Sequence, residues 1–237
     1  MDAALKMPSG RGNAETEFWR RRLTVPFYKV SEAARYARSN ASTVARWNRL
    51  RVTPSKQARD ELSYLQLIEL AVAAAMRKGG IPLAEIKSAR DYFAQALTTE
   101  YPFASQRFKA DGKRIVLDYQ QIEPKSGVGK LIYSDGQLGW KTLVDPLLKE
   151  FEYGDDGIAL RWKVGGLKSK VLIDPRVSFG APQVAGTATW VLRDRYLNGE
   201  SVPDLADDFG IAQTLIVDAL TFENVEVDLG RPKLWLN

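Results

Sequence analysis

The sequence contains neither histidine nor cysteine. Without cysteine there is no disulfide scaffold, and a cytosolic address is expected. Without either residue the usual zinc ligand sets are missing, together with Ser-His-Asp and Cys-His catalysis and imidazole acid–base chemistry. Long apolar runs are missing as well. None approaches the roughly 20 residues that span a bilayer, and the N-terminus carries no continuous apolar signal-peptide core. What is left is a chain of 237 residues, enough for a substantial core shared among two or three small domains. No cofactor and no metal are expected, and most enzyme classes lose their usual actors.

Charge, by contrast, is present but unevenly placed. The formal net charge is +5, yet residues 1–60 hold 13 Lys/Arg against 5 Asp/Glu, a net +8. Residues 61–98 balance, residues 99–170 carry 12 basic against 10 acidic groups, and residues 171–237 hold 5 against 10, a net −5. Charges that serve only solubility are usually better mixed along a chain; a basic head and an acidic end suggest different partners.

Residues 1–24 read as a flexible basic leader, with "FWRRR" from Phe18 to Arg22 as a basic arm or the start of structure. Residues 25–98 read as helical. "LSYLQLIELAVAAAMRKGG" carries apolar residues at helical spacing and stops at Gly79-Gly80. "IPLAEIKSARDYFAQAL" follows, with Leu83, Ile86, Ala89 or Arg90, Phe93 and Leu97 on one face and Pro82 suited to a first turn. From Thr99 the texture changes. "KRIVLDY", "GKLIYSDGQ" and "FEYGDDGIALRWKV" are β-prone runs broken by Asp-Gly turn signals, the last of them a hairpin, with a helix near Thr142–Glu150. Residues 99–170 are therefore expected to form a small β-rich middle module. Helices are expected again near Thr187–Leu197, Val202–Asp208 and Ala212–Glu223, within a unit spanning 171–225, and 226–237 reads as a strand or extended tail. The fold class is α+β, mainly helical: an N-terminal winged helix-turn-helix, the middle module, and a C-terminal three-helix unit of helix-turn-helix type.

"KVSEAARYARSNASTVARWNR" is the richest stretch. Ser31 suits the N-cap of a helix over Glu32–Ala37, Arg38-Ser39-Asn40 make the turn, and Asn40 caps a second helix from Ala41 to Arg49. Val44 and Trp47 face inward. Ser42, Arg46 and Arg49 fall at i, i+4 and i+7, a stripe turned away from the core. Such a helix fits the DNA major groove, where arginine bonds guanine edges and hydroxyls bond bases or phosphates. Ser42, Thr43, Arg46 and Arg49 are thus candidates for the groove, and Arg38, Arg51 and Lys56 for phosphates. The competing reading is a helical hairpin with a solvated cationic face.

A similar pattern recurs at "SVPDLADDFGIAQTLIVDAL". Its core stripe is complete, but Glu200, Asp204, Asp207, Asp208, Asp218 and Glu223 stand at positions expected to be exposed. Carboxylates at that density repel phosphates, so this unit reads as a packing or dimerisation module. Two further patterns carry no chemistry. "PKSGVGKLI" has Pro124 where a P-loop needs its first glycine and Leu131 where it needs Ser/Thr, and Asp155-Asp156 lies between glycines in a turn.

These stretches carry family resemblances. The first pattern, followed by "LSYLQLIELAVAAAMRKGGIPLAEIKSAR", resembles the DNA-binding region of MerR-like regulators, although those usually place glycine in the turn. "VLIDPRVSFGAPQVAGTATWVLRDRYLNGESVPDLADDFGIAQTLIVDALTFE" resembles a small helix-turn-helix domain of bacterial antitoxins, with Ala188 where that family usually has arginine. Over roughly residues 28–225 the arrangement is similar to VapB-type antitoxins. The resemblance implies a partner toxin with a PIN domain, a Mg²⁺-dependent ribonuclease, and autorepression through operator DNA as a homodimer. It also implies an extended toxin-binding segment, for which the tail "GRPKLWLN" offers Arg231, Lys233 and Trp235; a terminal strand capping the domain is the alternative. A free-standing MerR-like regulator with a small effector in residues 99–170 remains the second reading, and an acidic-residue nuclease a distant third.

Overall fold

The computed structural model of the chain describes residues 19–49, 61–127 and 140–227. Strand β1 (Tyr28–Lys29) leads into helices α1 (Val30–Tyr36) and α2 (Ala41–Arg49). Strand β2 (Glu61–Leu62) returns antiparallel to β1, Tyr28 opposite Leu62, and opens into α3 (Tyr64–Lys78), α4 (Leu83–Leu97) and α5 (Gln106–Ile122). Helix α6 (Asp145–Glu150) runs into the antiparallel hairpin β3 (Phe151–Tyr153) and β4 (Ala159–Trp162). A second small hairpin, β5 (Gln183–Val184) and β6 (Thr187–Ala188), precedes α7 (Thr189–Leu197), α8 (Val202–Phe209) and α9 (Gln213–Phe222). The fold is mainly helical α+β, as the sequence pattern predicts. Among the described residues, no helix is long and apolar enough to cross a membrane.

Helix α3 is the centre. Its residues from Tyr64 to Met76 are all buried, because "YLQLIELAVAAAM" is apolar on every face and only an interior position satisfies it. Ser63 starts the helix in a capping box: its hydroxyl accepts from the Gln66 amide, and its own amide donates to Gln66 Oε1 at 2.8 Å. Glu69 is the exception on this helix. Its carboxylate accepts from Arg90 Nε at 2.8 Å and from the amides of Phe103 at 2.7 Å and Ala104 at 3.2 Å. The pair pins α4 and the turn Pro102–Ala104 to α3, which settles the choice left open in α4: both Ala89 and Arg90 are buried.

The β-rich expectation for residues 99–170 is corrected over its first third. "KRIVLDY" lies inside α5, a 17-residue helix, and Asp111-Gly112 is no turn. Phe108, Gly112, Ile115, Val116 and Tyr119 form one buried helical stripe, and Gly112 supplies the small side of that stripe. The β-branched residues favour a strand locally, but an aromatic cluster of Phe93, Phe103, Phe108 and Tyr119 gives the helical period more to bury. "GKLIYSDGQ" lies outside the described residues. The hairpin at "FEYGDDGIALRW" and the helix before it are present where the sequence places them. The helix expected from Ser31 starts instead at Val30, with the Lys29 amide donating to Glu32 Oε2 at 2.9 Å.

Asp174, in the "IDP" of residues 173–175, fastens β4 to the C-terminal unit. It accepts from Arg161 Nε at 2.8 Å, Arg176 Nε at 2.9 Å and Nη2 at 2.7 Å, and the Arg176 amide at 2.9 Å. Burial alone would raise its carboxyl, but the bonds from Arg176 and Arg161 outweigh burial and hold it below the usual range. Since its folded value lies below the unfolded one of about 3.9, its stabilising contribution is complete above that pH and is lost as pH falls through the folded value. The urea midpoint should therefore drop on acidification below about pH 4, and Asp174→Asn should flatten that part of the profile. In the core, Glu69→Ala takes the acceptor from Arg90 Nε and from the Phe103 and Ala104 amides and should cost about 3–5 kcal/mol in denaturant unfolding.

Candidate nucleic-acid interface

The turn between α1 and α2 is built by backbone bonds. The Arg38 amide donates to Arg35 O at 3.0 Å and the Ser39 amide to Ala34 O at 2.8 Å, the pair of bonds that ends a helix in a Schellman motif. That motif needs a left-handed residue, and Arg38 occupies the position with φ +53°. Asn40 caps α2, as the sequence predicts. Its Oδ1 accepts from the Thr43 amide at 2.8 Å and from the Ser42 hydroxyl at 2.9 Å. Glycine is the usual occupant of such a turn because a Cβ there is strained. Arginine stands there with compensation from a distance: Nη2 donates to both oxygens of Glu150, at 2.9 and 3.0 Å. Glu150, at the end of α6, is buried and also accepts from Trp162 Nε1 at 3.0 Å.

Helix α2 presents the face that its sequence suggests. Val44 and Trp47 are buried against α1, while Ser42 and Arg46 are exposed on the opposite side and Thr43 is half-buried. Arg46 makes no ion pair among the described residues. The side chain of Arg49 and residues 51 and 56 lie outside them, as do Arg231, Lys233 and Trp235. The structure thus brings Ser42, Thr43 and Arg46 together on one helix. It ties Arg38, the remaining candidate, into the turn, with its side chain still 45% exposed.

A second tie secures α1. Arg35 Nη1 donates to Glu223 Oε2 at 2.9 Å, and its guanidinium lies 4.9 Å from the Phe222 ring and 5.1 Å from the Tyr36 ring. Burial lowers the proton affinity of Arg35, but its bond to Glu223 more than restores it. Tyr36 and Phe222 also stack, with centroids 6.1 Å apart. Glu223 is accordingly not the exposed carboxylate that its position suggests. Its side chain is 3% exposed and also meets Arg193 and the Thr189 hydroxyl. No local sequence signal marks Glu150 or Glu223 as partners of the first turn, since their arginines stand 112 and 188 residues away.

The C-terminal pair α8–α9 repeats the turn with its ordinary residue. Gly210 is left-handed at φ +62°, and the Ile211 amide donates to Ala206 O at 3.1 Å, as Ser39 does to Ala34. The exposed carboxylates of this unit are Asp204, Asp207 and Asp208. Asp218 accepts from the Lys170 amide at 2.8 Å, and Glu200 pairs with Arg195. Asn40→Ala should cost about 0.5–2 kcal/mol through loss of the α2 cap. Glu150→Ala should cost about 1–3 kcal/mol, since the buried Trp162 Nε1 loses its acceptor; both are read as shifts of the denaturation midpoint.

No protein-family model matches the chain. A protein of Mycobacterium tuberculosis named "Putative antitoxin VapB45" is 25% identical over 240 residues, covering 88% of this chain and 97% of that protein. The crystal structure of Rv2018 from Mycobacterium tuberculosis superposes with a TM-score of 0.69 at 22% identity, over 84% of this chain and 99% of that one, and shows the shared fold. The chain is thus similar, across most of both sequences, to a protein named as a putative VapB-type antitoxin.

Proposed function

We propose that the protein is a non-enzymatic cytoplasmic antitoxin that neutralises a PIN-domain ribonuclease and represses its own operon as a DNA-binding homodimer. Its relative's name supports the antitoxin part. The observation that carries DNA binding is α2: a capped helix in the basic head that offers Ser42 and Arg46 on one exposed face, Arg46 without an ion pair among the described residues. In this reading Ser42, Thr43, Arg46 and Arg49 enter the major groove and Arg51 and Lys56 hold phosphates. Arg38 serves the turn through Glu150 rather than the DNA. The C-terminal unit offers protein contacts, since exposed Asp204 and Asp207, beside an Asp208 paired with Arg195, would repel a phosphate backbone. Arg231, Lys233 and Trp235 are candidates for the toxin.

The second reading, a regulator with an effector in residues 99–170, has a cavity to point to. A pocket of about 150 Å³ lies between Tyr36, Ala37 and Arg38 of the turn and Thr142, Leu143, Pro146 and Leu147. As lined by the described residues it is smaller than the roughly 300 Å³ at which small-molecule sites begin.

Gel shifts with DNA from upstream of the gene test the groove assignment. Arg46→Ala should weaken specific binding by about 1–3 kcal/mol and relax the preference at one base pair; unchanged affinity and preference would sink the assignment. Arg38→Ala should leave the slope of log K against log salt unaltered, whereas loss of a phosphate contact lowers its magnitude by about 1. Co-expression with a neighbouring PIN-domain protein, followed by an RNase assay with the full chain and with a chain lacking residues 228–237, tests neutralisation and the tail separately.

A further inference from the structure

Helix α7 is apolar on two sides. Thr189 and Leu192 are buried inside the C-terminal unit, yet Trp190 is 50% and Leu197 65% exposed on the other face. Between them stand Arg193 and Asp194, partly exposed and bonded to each other at 2.7 Å. At 100° per residue, positions 190, 193, 194 and 197 fall within an arc of about 100°, so they form one outward stripe. A helix with apolar residues on both sides is ordinarily covered on both.

The order of chemistry along this stripe identifies the cover. Trp190, Arg193, Asp194 and Leu197 read apolar, basic, acidic, apolar, symmetric about a point between 193 and 194 apart from the sign of the central pair. A two-fold axis through that point lays a second α7 antiparallel on the first. Trp190 then meets Leu197 of the second copy, and Arg193 meets Asp194 of the second copy. An isologous contact requires this reciprocity, in which residue i touches j and j touches i.

We infer that the outward face of α7 is the homodimer interface, with the axis passing between Arg193 and Asp194; the inference rests on the dimeric state proposed above. A neighbouring feature supports it. Trp190 and Phe179 line one cleft of about 500 Å³, whose lining also includes Glu32 and Arg35 of α1. Phe179 is 73% exposed and held out by two consecutive left-handed residues, Ser178 at φ +47° and Phe179 at φ +53°. Strain of this kind persists where surroundings or function require it; within the chain the ring meets only the Arg22 guanidinium, 4.6 Å from its centroid, among the contacts of the described residues, and most of it still faces outward. A second copy resting on Trp190 comes against the same ring.

Sedimentation equilibrium and cross-linking of the full chain test the surface. The unaltered protein should be a dimer, and Leu197→Glu should weaken its association by about tenfold or more, about 1.4 kcal/mol, with an unchanged circular dichroism spectrum. Because the chain has no cysteine, single cysteines report the register. A mixture of Trp190→Cys and Leu197→Cys chains should form a disulfide-linked pair on mild oxidation that neither variant forms alone. An unaltered chain that is monomeric overturns both this inference and the dimeric reading. A dimer that Leu197→Glu leaves intact, or cysteines that fail to cross-link in this register, overturns the surface alone. A Leu197→Glu chain that stays dimeric but no longer co-purifies with the toxin assigns the face to the toxin instead.

Discussion

Two buried carboxylates, Glu150 and Glu223, hold the basic head of this protein in place. Each takes an arginine from the first helix-turn-helix: Glu150 takes Arg38 in the turn, and Glu223 takes Arg35 at the end of α1. Both are nearly excluded from solvent, and a carboxylate in that position must be paired to be tolerated. Hence the later part of the chain cannot complete its own packing without the first. The uneven charge of the sequence is in part an internal complementarity. The head gives up Arg35 and Arg38 to the fold and keeps Arg46 for the outside.

The comparison of the two helix-turn-helix units sharpens what that costs. Their turns share one backbone geometry, and in the second a glycine adopts it freely. In the first, arginine adopts it at a strain of roughly 1–2 kcal/mol and supplies in exchange a side chain that reaches Glu150. A glycine there would relax the backbone but release α6 and the β3–β4 hairpin from the turn. Glu150 also fixes Trp162, so the orientation of α2 depends on a strand more than 100 residues downstream. The turn is a joint between units and a bend within one of them.

This division explains what was legible in the sequence. Local rules carried the helices whose apolar period and caps agree: α2 with Asn40, α3 with its Gly79 stop, and α7 to α9 within two residues at each end. They carried the outward positions of Ser42 and Arg46, which follow from Val44 and Trp47 facing in. They failed at α5, where β-branched residues and an Asp-Gly pair point locally to strand and turn while an aromatic cluster rewards a helix. They also failed at Glu223, whose neighbours suggest an exposed acidic face. Its partner Arg35 stands 188 residues earlier, and no periodicity connects them. Asn40 caps α2 as its sequence suggests, so the left-handed position of the turn falls to Arg38.

Placement of the exposed aromatics then matters for the head. Trp190 and Phe179 share a cleft with Arg35, Tyr36 and Glu223, the residues that fasten α1 to the C-terminal unit. Anything that settles on Trp190 therefore lies beside the ion pair and ring stack that set the position of α1. Packed side chains and paired charges adopt discrete arrangements rather than deforming smoothly. An occupant of that face can favour the present position of α1 only by contacting it, and the cleft supplies the contact through Glu32 and Arg35. Helix α2 follows α1 through the arginine-bearing turn. Under the proposed function, the acidic C-terminal unit would in this way govern how the basic unit meets DNA.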